Sequence, residues 1–164
     1  MRNLRIIICA FMVMNINTIS AQNKLSISKK APIFLDLAII NNAGSRGKII
    51  VDDSQWLNYT ILIGASDPTA SISVNISSGS VPEGLELYIE AKSYRGFSNG
   101  KIGKPVGKVQ LSHIPKTIID NIGTSYTGSG RNEGHQLIFS FKITDYAKIQ
   151  PGISTIFVDY TITQ

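Results

Sequence analysis

The chain has 164 residues, 43% of them hydrophobic and 16% charged, with a formal net charge of +5 and one cysteine. That length suits a single domain with a substantial core, and so mild an excess of positive charge leaves no electrostatic footprint for nucleic acid. A lone cysteine, Cys9, excludes an internal disulfide, so packing and sheet hydrogen bonds have to hold the fold.

In chain order, Arg2 and Arg5 precede the apolar run Ile6–Met14, and Ile19-Ser20-Ala21 ends on a small residue. This three-part pattern is that of a secretory signal peptide over residues 1–21, with a mature chain expected to start at Gln22. Cys9 and two of the positive charges leave with it. No later apolar run reaches the roughly 18 residues that a spanning helix needs, so no membrane span is expected after the signal is removed. Export from a bacterium to the periplasm, the cell surface or the medium is the expected location.

From there on, two-residue alternation recurs in segment after segment, punctuated by Gly, Pro, Asn, Asp and Ser. Leu25 and Ile27 alternate with Ser26 and Ser28. Shorter apolar runs at 31–40 and 48–51 read as strands covered on both faces. In 56–64, Leu57, Tyr59, Ile61 and Ile63 share one face while Asn58 and Thr60 share the other. Ile72, Val74 and Ile76 alternate with Ser71, Ser73 and Asn75, and Leu85, Leu87, Ile89 and Ala91 alternate with Glu86, Tyr88 and Glu90.

Val109 and Leu111 mark a short strand, and another is expected at 116–120. The clearest alternation comes last: Leu137, Phe139, Phe141 and Ile143 within 135–144, then Ile156, Val158, Tyr160 and Ile162. About eight or nine short strands with one apolar face each predict an all-β chain. The expected architecture is an immunoglobulin-like or pilin-like antiparallel β-sandwich, one domain over 22–164.

Catalytic and metal constellations are not expected. His113 and His135 lack companion ligands and read as surface histidines. No serine is marked as a nucleophile by its surroundings. Glu86 and Glu90 lie about 13 Å apart by strand rise, wider than a glycosidase pair. Asp52-Asp53 and Asp120-Asn121 read as backbone caps rather than calcium ligands. The reading is therefore of a protein that is not an enzyme and carries no cofactor and no metal.

Two glycine-rich, mildly basic loops, 94–107 and 123–134, serve either as plain connections or as binding loops on the sandwich. Aromatics in or near them could stack on a sugar ring. Trp56, out of phase with the inward set, is expected either to turn outward or to the strand end, free to stack on a sugar, or to cap the core. Trp56, Tyr94, Arg95, Phe97, Tyr126 and Arg131 are the candidate ligand-binding residues.

The run Gly134-His135-Gln136-Leu137-Ile138-Phe139-Ser140-Phe141 and the closing alternation from Ser154 to Gln164 resemble those of secreted bacterial pilin-like sandwiches, including fimbrial subunits and the spore coat protein U group. That resemblance implies a non-catalytic structural or adhesive surface subunit. It also implies self-association, or association with other surface subunits, by strand addition at an open sheet edge. Leu25 and Ile27 then belong either to a donated strand or to the sandwich's own first strand. The alternative is a secreted module that binds a glycan or envelope component through loops 94–107 and 123–134.

Overall fold

The computed structural model describes residues 23–37 and 51–164. The expected signal peptide and the expected strand residues at 38–40 and 48–50 lie outside them. The strands are β1 (Lys24–Ser28), β2 (Ile33–Asp36), β3 (Val51–Ile61), β4 (Ala70–Ser78), β5 (Leu85–Ala91), β6 (Asn99–Gly100), β7 (Lys104–Pro105), β8 (Lys108–Gln110), β9 (Lys116–Ile122), β10 (Ser125–Tyr126), β11 (His135–Ile143) and β12 (Ile153–Thr163). Strands beyond the eight or nine expected arise because both glycine-rich loops carry two-residue pairs that alternation is too short to reveal. Among the described residues no helix is long and apolar enough to cross a membrane.

Every pairing is antiparallel, and the strands form two sheets. One has seven strands in the order β6-β10-β3-β11-β5-β8, with β1 also on β3; the other has five, β2-β12-β4-β9-β7. β1 and β11 both pair with Trp56 and Leu57, so they occupy opposite edges of β3. β1 and β10 both pair with Thr60, so β10 shares the β11 edge and β1 is a sheet margin.

One core joins the two sheets. Leu57, Tyr59 and Ile61 of β3, Leu87 and Ile89 of β5, and Leu137 and Phe139 of β11 meet Ile72 and Val74 of β4, Ile118, Ile119 and Ile122 of β9, and Ile156 of β12. Outside β9, where the adjacent Ile118 and Ile119 are both buried, these are the inward phases that alternation predicts, and each large apolar side chain so buried is worth about 1.5–3 kcal/mol of transfer free energy. The 31–40 segment narrows to β2, where Ile33 and Leu35 point into the core and Phe34 points out.

β3 starts five residues earlier than Trp56 because a bulge absorbs a register shift opposite Leu137 and Phe139. Asp52 causes it locally: one carboxylate oxygen accepts from the Ser54 N–H at 2.9 Å and the other from Gln55 Nε2 at 3.3 Å. Such a side-chain turn competes with the ladder and bends the strand. Asp52 thus behaves as the backbone cap expected of it. Among the described residues no three His, Cys, Asp or Glu side chains cluster as a metal site.

Candidate functional site

Far from being free connections, the two glycine-rich loops are joined to each other. Arg95 and Gly134 exchange N–H to carbonyl bonds of 2.9 Å each, and β6 pairs with β10. The Lys101 N–H donates to the Thr124 carbonyl and the Gly123 N–H to the Lys101 carbonyl, both at 3.0 Å. Gly134 permits this closure, since its φ of +87° is a left-handed conformation and a Cβ there would strike the Leu57 carbonyl.

The candidate residues divide accordingly. Arg95, Phe97, Tyr126 and Arg131 are exposed along this joined surface, with Phe97 94% exposed and Tyr126 47%. Tyr94 is half-buried, its hydroxyl 3.5 Å from the Thr127 carbonyl. Trp56 lies on the outward phase of β3 yet is only 4% exposed, which goes against the outward, stacking alternative and leaves no free ring face to solvent. Alternation assigns a side chain to a face, not to what covers that face.

His135 is corrected. It is fully buried, not a surface residue, and it anchors a polar chain inside the sheet. Its Nδ1 lies 2.8 Å from the Lys92 carbonyl, which can only accept, so Nδ1 carries the proton and Nε2 accepts from the Tyr59 hydroxyl at 3.2 Å. The Tyr59 oxygen in turn accepts from the Gly103 N–H at 3.3 Å, and the two rings stack with centroids 5.9 Å apart.

Burial pushes the Tyr59 hydroxyl up to about 12 and the His135 imidazole below its usual value. Both groups are therefore neutral at pH 7. This chain links β3, β11 and the Gly103 turn, and it holds the two loops in place. His113, by contrast, is exposed as expected.

A second feature lies on the opposite flank. Ile153–Ile156 of β12 pair with β2, and Phe157–Thr163 pair with β4. A Cβ on Gly79, just past β4, would meet the Thr155 carbonyl, so β4 and its continuation hold one edge of β12 and β2 holds the other. Among the described residues nothing pairs with that second edge from Val158 to Thr163.

Inward side chains on this flank are incompletely covered. Leu25 and Ile27 of β1 and Tyr160 and Ile162 of β12 are only partly buried, where the inward phases of β3 and β5, and of β11 from His135 to Phe141, are closed off. A groove of about 550 Å³ opens here, lined by Ala31, Ile33, Gln55, Phe139, Val158 and Tyr160 among others. The Tyr160 hydroxyl is buried with no hydrogen-bond partner. Burial first, and the Asp52 charge second, raise its pKa, so it remains a proton donor.

Outward positions of β1, β3 and β10 form a third feature that local reading of the chain misses. Lys24 and Tyr126 flank Thr60 in register, and Ser26 stands opposite Asn58. Their meeting depends on pairing between segments more than thirty residues apart, and no local pattern reports it. The chain matches no family model, no curated protein and no solved structure.

Proposed function

We propose that the protein is a non-catalytic, exported surface protein, a structural or adhesive subunit of pilin-like build that takes a strand from another subunit along the free edge of β12. The observation that carries this reading is the Val158–Thr163 edge, unpaired among the described residues and lying beside an apolar groove. In strand addition, backbone pairing gives affinity and side chains entering the groove at alternate positions give specificity. The order β1-β3-β11-β5 facing β4-β12 resembles an immunoglobulin-like sandwich whose final edge strand has been left out.

An added strand would complete the cover of Leu25, Ile27, Tyr160 and Ile162, and a carbonyl on it would give the Tyr160 hydroxyl its missing acceptor. Light scattering of residues 22–164 across a wide concentration range tests the reading. Concentration-dependent oligomers are expected. A monomer at every concentration would contradict it.

A second reading, a secreted glycan- or envelope-binding module, is favoured by the joining of loops 94–107 and 123–134 into one surface.

A further inference from the structure

On the outer face of the seven-stranded sheet, away from the free edge of β12, lies a small groove of about 240 Å³. Lys24 and Ser26 of β1, Asn58 and Thr60 of β3, Tyr126 of β10 and Ser129 of the following turn line it. We propose that this groove is a carbohydrate site that seats one pyranose ring against the face of Tyr126. The proposal draws on the second reading above for its class of ligand and is independent of strand addition.

The chemistry of the lining carries the inference. A sugar ring presents hydroxyls, each both donor and acceptor, around its rim and C–H groups on its face. It therefore asks for paired polar groups beside one aromatic plane. Adjacent strands lie about 4.8 Å apart and successive outward positions about 6.7 Å apart, so Lys24, Ser26, Asn58 and Thr60 form a polar patch on the scale of one such ring. Tyr126, 47% exposed and fixed by pairing on both sides, to β3 and to β6, supplies the plane.

Asn58 shows that the floor is built before any ligand arrives. It is 2% exposed, its Oδ1 accepts from the Ser28 hydroxyl at 3.0 Å, and its Nδ2 donates to the Glu133 carbonyl at 2.8 Å. Both ends of the amide are thus held by the protein, and Asn58 supplies a fixed polar floor under the outward Ser26 and Thr60 hydroxyls. The wall is fixed as well. The Glu133 carboxylate accepts from the Ser129 N–H at 2.8 Å and closes the turn at Gly128, whose φ is +79°. A site ordered in advance spends little binding free energy on its own rearrangement.

Phosphate-bearing ligands fit less well, because Lys24 is the one cationic side chain on the lining and no helix N-terminus faces it. An apolar peptide fits less well too, since the floor is polar.

An array of neutral and uronic-acid pyranosyl oligosaccharides, followed by calorimetric titration of the strongest binder, tests the proposal. Wild-type protein is expected to bind. Tyr126→Ala should weaken that binding at least tenfold, while Tyr126→Phe, which keeps the ring, should retain it. Ser26→Ala, at an exposed sheet margin where it cannot disturb the core, should weaken it several-fold with an unchanged melting temperature. Ile114→Ala, at an exposed position outside the groove, should leave it unaltered. No array binding by the wild type would overturn the site together with the glycan-module reading. Array binding that survives both Tyr126→Ala and Ser26→Ala would overturn this site while leaving that reading standing.

Discussion

Inside the seven-stranded sheet, His135 is neutral because both ring nitrogens are committed, one as donor to the Lys92 carbonyl and one as acceptor from Tyr59. Burial depresses its pKa below 6.5, the Lys92 bond working against that shift. As pH falls through 6.5, the unfolded chain therefore binds a proton before the folded one does. The stability tied to His135 is present above 6.5 and is lost as pH drops toward the lower folded value. Urea midpoints measured from pH 7.5 to 5 should fall, and His135→Gln should flatten that decline while lowering the midpoint at pH 7.5. Tyr59→Phe leaves the Gly103 N–H and His135 Nε2 without their partner, a cost of about 1–3 kcal/mol by denaturant unfolding. His135 falls in phase with Leu137, Phe139 and Phe141, the one sequence signal of its burial, but a histidine opening a strand is ordinarily wet. Its burial depends on Tyr59 and Lys92, which reach it only through the pairing of β3, β5 and β11.

At the scale of the element, β4, β5 and β11 are the strands most legible from sequence, since their inward phases alternate without interruption and are buried as the pattern requires, save for Ile143 at the end of β11, which is only partly buried. β12 alternates as cleanly yet is not uniformly covered: Ile156 is fully buried and Ile162 only partly. Ile156→Ala should thus cost about 2–5 kcal/mol by equilibrium unfolding of the monomer. Ile162→Ala should cost less than half as much in the monomer while weakening oligomer formation. The loops were legible as glycine-rich but not as joined, because two-residue strands leave no periodicity. Gly134→Ala, which places a Cβ against the Leu57 carbonyl at φ +87°, should destabilise by more than about 1 kcal/mol and release Arg95 from its bridge. Loss of amide protection at Arg95 would report that release.

For the whole molecule, alternation gave the sandwich class but not which edge is left open, because an edge is defined by the strand that is missing beside it. Among the described residues β12 keeps one edge unpaired from Val158 to Thr163, and the proposed subunit role requires a strand of another copy to pair there. Amide hydrogen exchange over Val158–Thr163 tests this most directly. In the dilute monomer, amides of β12 aimed away from β4 should exchange quickly and those bonded to β4 slowly. In concentrated protein the fast set should become protected. Equal protection of both sets in the dilute monomer, or a fast set that stays fast under every condition, would contradict the account.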